Sequence, residues 1–206
     1  MAYTLNTSHA LYGNLVELIG VQSGALVSHK TARTFTKHAS ATYGSGTWGE
    51  QFNAVGGSYE DRGASISPAI TINTSTTTSY TVITVLNSNG NGSGNAGYSF
   101  GKSDSPRLLG PAMRSNHIYG RGIEGTTDVG AANRMLTYCR IGETSGKYYL
   151  DKTLEVSSTS LGNDYAETGS AANYLGMAWP EQSGVWGIVW LVVFDKELSL
   201  AEISDL

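Results

Sequence analysis

Three chemistry-bearing patterns overlap between Gly92 and Ser103. Gly92-x-Gly94-x-x-Gly97 has the spacing of a dinucleotide fingerprint, and Ala96-x-x-x-x-Gly101-Lys102-Ser103 that of a loose phosphate-binding loop. Gly97-Tyr98-Ser99-Phe100-Gly101 matches a nucleophile elbow. Each of these needs a helix next, with its N-terminal N–H groups facing a phosphate or an oxyanion. The chain continues instead as Asp104-Ser105-Pro106-Arg107-Leu108-Leu109-Gly110-Pro111, which is too short and too proline-broken for that helix. Glycine abundance explains the overlap, and a hairpin loop is predicted. His9, His29, His38 and His117 are scattered without zinc-ligand spacing, so no metal site is predicted.

Aromatic rings offer a different chemistry, because they stack on the apolar faces of pyranose sugars. Trp179, between Ala178 and Pro180 in a predicted loop, is the first candidate for glycan contact, and Tyr119 is the second. Against this, Trp is usually mostly buried, which favours Trp179 as cover for a sheet edge or the end of the core. Trp186 and Trp190 stand at even spacing on one strand and are expected in the core or at a subunit interface. The single cysteine, Cys139, excludes an internal disulfide and reads as a small buried hydrophobe.

The elements that must position these residues are strands. Twenty-six glycines, twelve tyrosines and heavy Ser/Thr/Asn use point to many short strands joined by turns. Leu15 to Val21, Thr31 to Thr36, Ala41 to Tyr43 and Ser79 to Leu86 are strand candidates, the first of them central. Gly44-Ser45-Gly46 reads as a turn that leads Trp48 and Phe52 into the core. Ile66, Ile70 and Ile72 mark a strand interrupted at Pro68, hence an edge or a bulge. Gly120 to Gly130 reads as a Gly-rich connection. Residues 1–14 form an ordered arm in which Ser8 caps a turn through Leu11. At the other end, the apolar run Val185 to Phe194 suits a strand buried on both faces. Ser199 and Glu202 have capping-box spacing, with Leu200, Ile203 and Leu206 on one helical face.

Two hundred and six residues, 40% of them hydrophobic, can bury a full core, and no repeat, linker or charge block divides the chain. The expectation is an all-β, single-domain, two-sheet antiparallel sandwich of about a dozen strands, ending in a short helix. A net charge of −4 with no basic stretch argues against nucleic-acid binding. No apolar run approaches the roughly 18 residues of a membrane span. The start lacks a basic region followed by an apolar one, so synthesis without a signal peptide is expected.

The closing order Phe194-Asp195-Lys196-Glu197-Leu198-Ser199-Leu200-Ala201-Glu202-Ile203 resembles the last strand, turn and helix of concanavalin A-like (laminin-G-like) jelly-roll domains. So do the hairpin through Lys147-Tyr148-Tyr149-Leu150-Asp151-Lys152 and the stretch Asn173-Tyr174-Leu175-Gly176. The resemblance implies a jelly-roll sandwich over residues 1–206, a fold that serves lectins, hydrolases and structural modules alike. The acidic triplet Glu-x-Asp-x-x-Glu of the superfamily's glycosidases is missing. No catalytic residue or cofactor is therefore predicted.

The opening Asn6-Thr7-Ser8-His9-x-Leu11-Tyr12-x-Asn14 also looks like the start of laminin-G-like proteins of tailed bacteriophages. That likeness implies a non-enzymatic virion protein: a capsid decoration, or cement, subunit that acts by burying surface. Its partners would be other virion proteins and copies of itself, a homotrimer being favoured. Tyr3, Leu5, Leu11 and Tyr12 of the arm would make the subunit contact. The alternative is a glycan-binding module of a phage tail or fibre, with Trp179 or Tyr119 on the sugar.

Overall fold

The computed structural model describes residues 5–55, 63–72, 79–88, 97–102, 107–114, 116–120, 123–130, 132–142, 144–161, 173–178 and 185–206. The first strands are β1 (Leu15–Gln22), β2 (Ala25–Ser28), β3 (Thr34–Lys37), β4 (Thr42–Gly46), β5 (Gly49–Val55) and β6 (Ala64–Ser67). There follow β7 (Tyr80–Ser88), β8 (Gly97–Lys102), β9 (Arg107–Leu108), β10 (Ala112–Arg114), β11 (His117–Gly120) and β12 (Ile123–Asp128). The last are β13 (Asn133–Ile141), β14 (Ser145–Leu150), β15 (Thr153–Ser158), β16 (Asn173–Ala178) and β17 (Val185–Phe194), before helix α1 (Leu200–Asp205).

Two antiparallel sheets stack face to face. The larger has nine strands, in the order β15-β14-β13-β7-β17-β1-β2, with β5 also on β17 and β4 on β5. The smaller has eight, in the order β12-β11-β10-β8-β16-β6-β3, with β9 on β8. Alternation along each strand sends one side chain in two to the core. Val82, Leu86, Leu136, Leu191 and Val193 of the larger sheet meet Ile66, Phe100, Ile118 and Leu175 of the smaller. Tyr138 and Tyr148 stack at 4.7 Å between centroids, and Tyr80 meets Tyr138 edge-on at 5.8 Å. Aromatic pairs like these add about 0.5–1.5 kcal/mol beyond the area they bury.

One charged pair enters this apolar layer. Glu17 is fully buried, and its carboxylate accepts from Arg33 Nε at 2.7 Å, from Ser28 Oγ at 2.9 Å and from the Thr31 hydroxyl. Arg33 also donates to the carbonyls of Pro68 and Ala69, just past β6. The pair therefore joins β1 of one sheet to the end of β6 of the other.

The outer face of the larger sheet is apolar as well. Ile83, Cys139, Tyr149 and Phe194 form a second cluster with Leu15 at the start of β1, Leu11 from the arm, and Leu198 and Ile203 around α1. Burial pushes the Cys139 thiol up to about 11, which fits an inert core residue. Thr81 clips the C-terminal segment down, donating to Lys196 O at 2.8 Å and accepting from Leu198 N at 3.0 Å. The capping box forms: Glu202 N donates to Ser199 Oγ at 3.2 Å, and Ser199 N to Glu202 Oε2 at 2.8 Å.

Several expectations need correction. Trp48 is 45% exposed while Phe52 is fully buried. The hairpin turn is at Thr47 and Trp48, between paired Gly46 and Gly49, and not at residues 44–46. A side chain at the tip of a hairpin has no sheet above it. Of the α1 leucines and isoleucine, only Ile203 is buried, because Leu198 just before the helix takes the second docking position. β6 is no edge, since it lies between β16 and β3, and β1 is close to an edge, being followed only by β2. The stretch from Gly120 to Gly130 contains strand β12. In the arm, Asn6 Oδ1 accepts from Ser8 N, and the 3-10 turn spans Tyr12–Asn14 with no side-chain cap. Gly97 and Gly101 lie in β8, paired with β16, where no phosphate loop can form.

A register shift in β17 between Ile188 and Trp190 changes the parity of the strand. Ile188 and Leu191, three apart, both join the core. Even spacing across this bulge no longer keeps residues on one face; Trp190 lines the outer-face pocket with Val192, and the side chain of Trp186 lies outside the described residues.

Candidate functional site

Function has to be sought where the framework leaves polar or apolar groups uncovered. The described residues contain no group of three or more His, Cys, Asp or Glu that could hold a metal ion. Among the described residues, the outer face of the larger sheet carries two regions without a second layer, one at each end.

The first region is built on β4, β5, β7 and β17. Phe52 points inward, so Gln51 and Asn53 of β5 point outward by period-2 alternation. Gly187 pairs with Asn53 on one side and Asn87 on the other, which sets three amide side chains on one patch. Gln51 Nε2 donates to Asn53 Oδ1 at 2.8 Å. Asn53 Nδ2 reaches Thr42 Oγ1 at 3.4 Å. The floor under them requires glycine. A Cβ on Gly187 would stand 2.5 Å from the Gln51 amide, and one on Gly46 would stand 2.6 Å from Gln51 Oε1 and 3.2 Å from Asn87 Nδ2. Gln51 Oε1 is shielded and has no partner among the described residues. Trp48 stands exposed at the tip of the same hairpin. An exposed indole at the hairpin tip and neutral amides on the adjoining strands suit hydroxyl-rich, uncharged ligands: the ring covers C–H faces, while the amides donate and accept.

The second region is an apolar pocket of about 290 Å³ between the same sheet, the arm and the end of α1. Leu18, Ile83, Val85 and Val192 make its floor, Trp190 and Met135 its sides, and Leu5, Leu11 and Tyr12 its lid. The arm is held in place by Lys30, whose Nζ sits 3.4 Å from the centroid of the Tyr12 ring and donates to Tyr12 O. Asn14 Nδ2 donates to Asp195 Oδ1 at 3.0 Å, closing the other end. Trp190 lies over Gly20, where a Cβ would come within 2.2 Å of its ring. His29 packs against the indole at 5.4 Å, and burial holds its pKa below the usual imidazole value despite the carboxylate of Glu17.

The residues singled out from sequence fall in several places. Trp179 and Tyr3 lie outside the described residues. Tyr119 is half-buried on the outer face of the smaller sheet, opposite Glu124 of β12, whose carboxylate stands 3.2 Å from His117 Nδ1. Leu5, Leu11 and Tyr12 lie on the chain's own sheet, with Leu11 buried in the outer-face cluster. Sequence reasoning missed Trp48, Gln51, Asn53 and Asn87. The available signal was Gly-Thr-Trp-Gly at positions 46–49, a two-residue turn with glycine on both sides.

No protein-family model and no curated protein matches this chain. Its fold does match solved structures. The binding domain of Paraclostridial Mosquitocidal Protein 1 superposes with a TM-score of 0.74 at 10% identity, over 95% of this chain and 52% of that one. Botulinum neurotoxin type C, which depends on interaction with two ganglioside molecules to enter cells, superposes with a TM-score of 0.71 at 14% identity, over 95% and 51%. The binding domain of botulinum neurotoxin serotype G gives 0.68 at 12% identity, over 93% and 50%. The chain thus spans about half the length of these structures. At such identities the likeness establishes a shared β-sandwich fold of the kind found in these binding domains.

Proposed function

We propose that this chain is a non-enzymatic glycan-binding module that recognises a neutral oligosaccharide on a cell surface. The observation that carries the reading is the set of glycine-floored amides of Gln51, Asn53 and Asn87 next to a hairpin whose tip carries the exposed Trp48. The structural neighbours, among them a botulinum neurotoxin receptor-binding domain and a neurotoxin whose cell entry depends on gangliosides, support the same direction without defining a ligand. A sugar ring stacked on Trp48 would present its hydroxyls to the amides, and drawing the Gln51 amide outward would satisfy its lone acceptor. The module would belong to a larger particle or protein that it attaches to its target, a phage tail or fibre being the setting favoured by the opening motif.

A glycan array tests this reading with three proteins. The native chain should bind a defined set of neutral glycans. Trp48→Ala should lose at least about fivefold in affinity, a ring contact being worth roughly 1 kcal/mol or more, with unchanged thermal unfolding. Tyr119→Ala serves as the control on the other sheet. An array with no hit, or loss confined to Tyr119→Ala, overturns the assignment.

The virion cement reading is favoured by one observation. Leu154, Leu200 and Leu206 are about half exposed around α1, where Lys152 Nζ also bonds Ser204 O. A subunit working through surface burial would use that patch and assemble, a trimer being expected. Light scattering that finds a strict monomer at high concentration would sink it.

A further inference from the structure

From the walls of the pocket beneath the arm, we infer that it is a binding site for a single unbranched alkyl chain with a neutral polar head. This goes beyond glycan recognition and rests on different residues. The floor is a row of branched aliphatic side chains from three adjacent strands: Leu18 of β1, Val192 of β17, and Ile83 with Val85 of β7. Such a floor has no donor or acceptor to orient a polar ligand, and water within it would lack partners. At about 290 Å³ the space is close to the lower bound of ordinary ligand pockets and about twice that of an engineered cavity that holds benzene. At roughly 30 Å³ per methylene, close to the share of a water molecule in the liquid, it accepts a chain of about eight to ten carbons.

The shape argues for a chain and not for a compact ring. Leu18, Val192 and Ile83 stand at one register level on β1, β17 and β7, so the floor runs lengthwise across three strands, over about two strand spacings of ~4.8 Å each. Trp190, Val85 and Met135 form the next level and bound it along one side. Polar groups gather on the lid side. Asn6 and His9 of the arm line the pocket, and His9 Nε2 faces the exposed carboxylate of Asp205 at 3.7 Å. His9 Nδ1 accepts from Leu11 N, which leaves Nε2 as the atom that meets a head group or Asp205. A carboxylate head would stand beside Asp205, so a hydroxyl head is the better match.

The probe is 1-octanol, followed by methyl-resolved NMR of the full chain, with 1-butanol and octanoate as comparators. Octanol should move the methyl signals of Leu18, Ile83, Val85 and Val192 in one saturable event. Butanol should bind about 100-fold more weakly or worse, since four methylenes at ~0.8 kcal/mol each exceed that factor. Octanoate should bind more weakly than octanol at neutral pH. Two filling variants guard against misfolding: Val85→Phe from the floor and Leu5→Trp from the lid. Each should abolish the octanol shifts, and the lid variant leaves the sheet intact. Trp48→Ala should leave octanol binding unchanged, which separates this site from the amide patch. Non-saturable shifts, equal binding of butanol, or binding that survives both filling variants would overturn the assignment.

Discussion

The two faces of the nine-stranded sheet are both apolar along much of their length, yet they are finished differently. Its inner face packs on the second sheet, with Tyr138 and Tyr148 stacked on β13 and β14 and the Glu17–Arg33 pair tying the layers together. Among the described residues, its outer face is covered by short terminal pieces: the arm, and six residues of helix pinned by Thr81 and Ile203. Partial cover leaves a pocket at one end and an amide patch at the other. The contrast assigns stability to the inner face and binding to the outer one.

The inner face should break first and hardest. Glu17→Gln removes the charge that compensates Arg33 while both groups stay buried, the side chains being 0% and 11% exposed. Loss of one partner of a buried pair costs about 3–5 kcal/mol, to be read from urea unfolding midpoints. A cost below about 1 kcal/mol would mean that the sheets do not depend on this clamp.

Gly20→Ala works at the boundary between the two regimes. Its methyl must displace the Trp190 ring, so a cost of about 1–3 kcal/mol is expected, together with a shift in tryptophan emission. Emission unchanged from the native chain would show that the indole does not rest on Gly20.

The helix cap should give the smallest effect. Ser199→Ala should cost about 1 kcal/mol, measured by thermal unfolding. Hydrogen bonds from Lys196, the Ser199 N–H and the Ser199 hydroxyl hold the Glu202 carboxyl down at about 2. Because the folded value is depressed, this contribution is present above the ordinary carboxylate range and is lost as pH falls toward 2. A carboxyl carbon titration by NMR should find the midpoint there. A midpoint near 4.5 would show that the box is open in solution.

How far the sequence revealed this division depends on what each part requires. The closing strand and the capping box were legible because apolar β-branched runs and the Ser-x-x-Glu spacing act locally. The two-layer class followed from turn density. The bulge in β17 left no local mark, so the face of Trp190 was lost with it. Trp48 was misplaced by a slip of three residues in one turn: Gly44 and Gly46 signalled a bend, but they serve as floor for Gln51 and Asn53. The amide patch depends on long-range pairing of β5 with β17 and of β17 with β7, and periodicity along a single strand does not encode it. Tyr119 is half-buried, and its neighbours His117 and Glu124 come together only through the pairing of β11 with β12.

The account stands or falls on where an oligosaccharide touches the protein. The direct measurement is a 1H–15N correlation spectrum of the chain titrated with the best glycan from the array, resolving side-chain amide and indole signals. The account predicts concerted, saturable shifts of the Trp48 indole N–H and of the Gln51, Asn53 and Asn87 NH2 groups, with Tyr119 and its neighbours unmoved. Shifts centred on β11 and β12, with the amide patch silent, would contradict it.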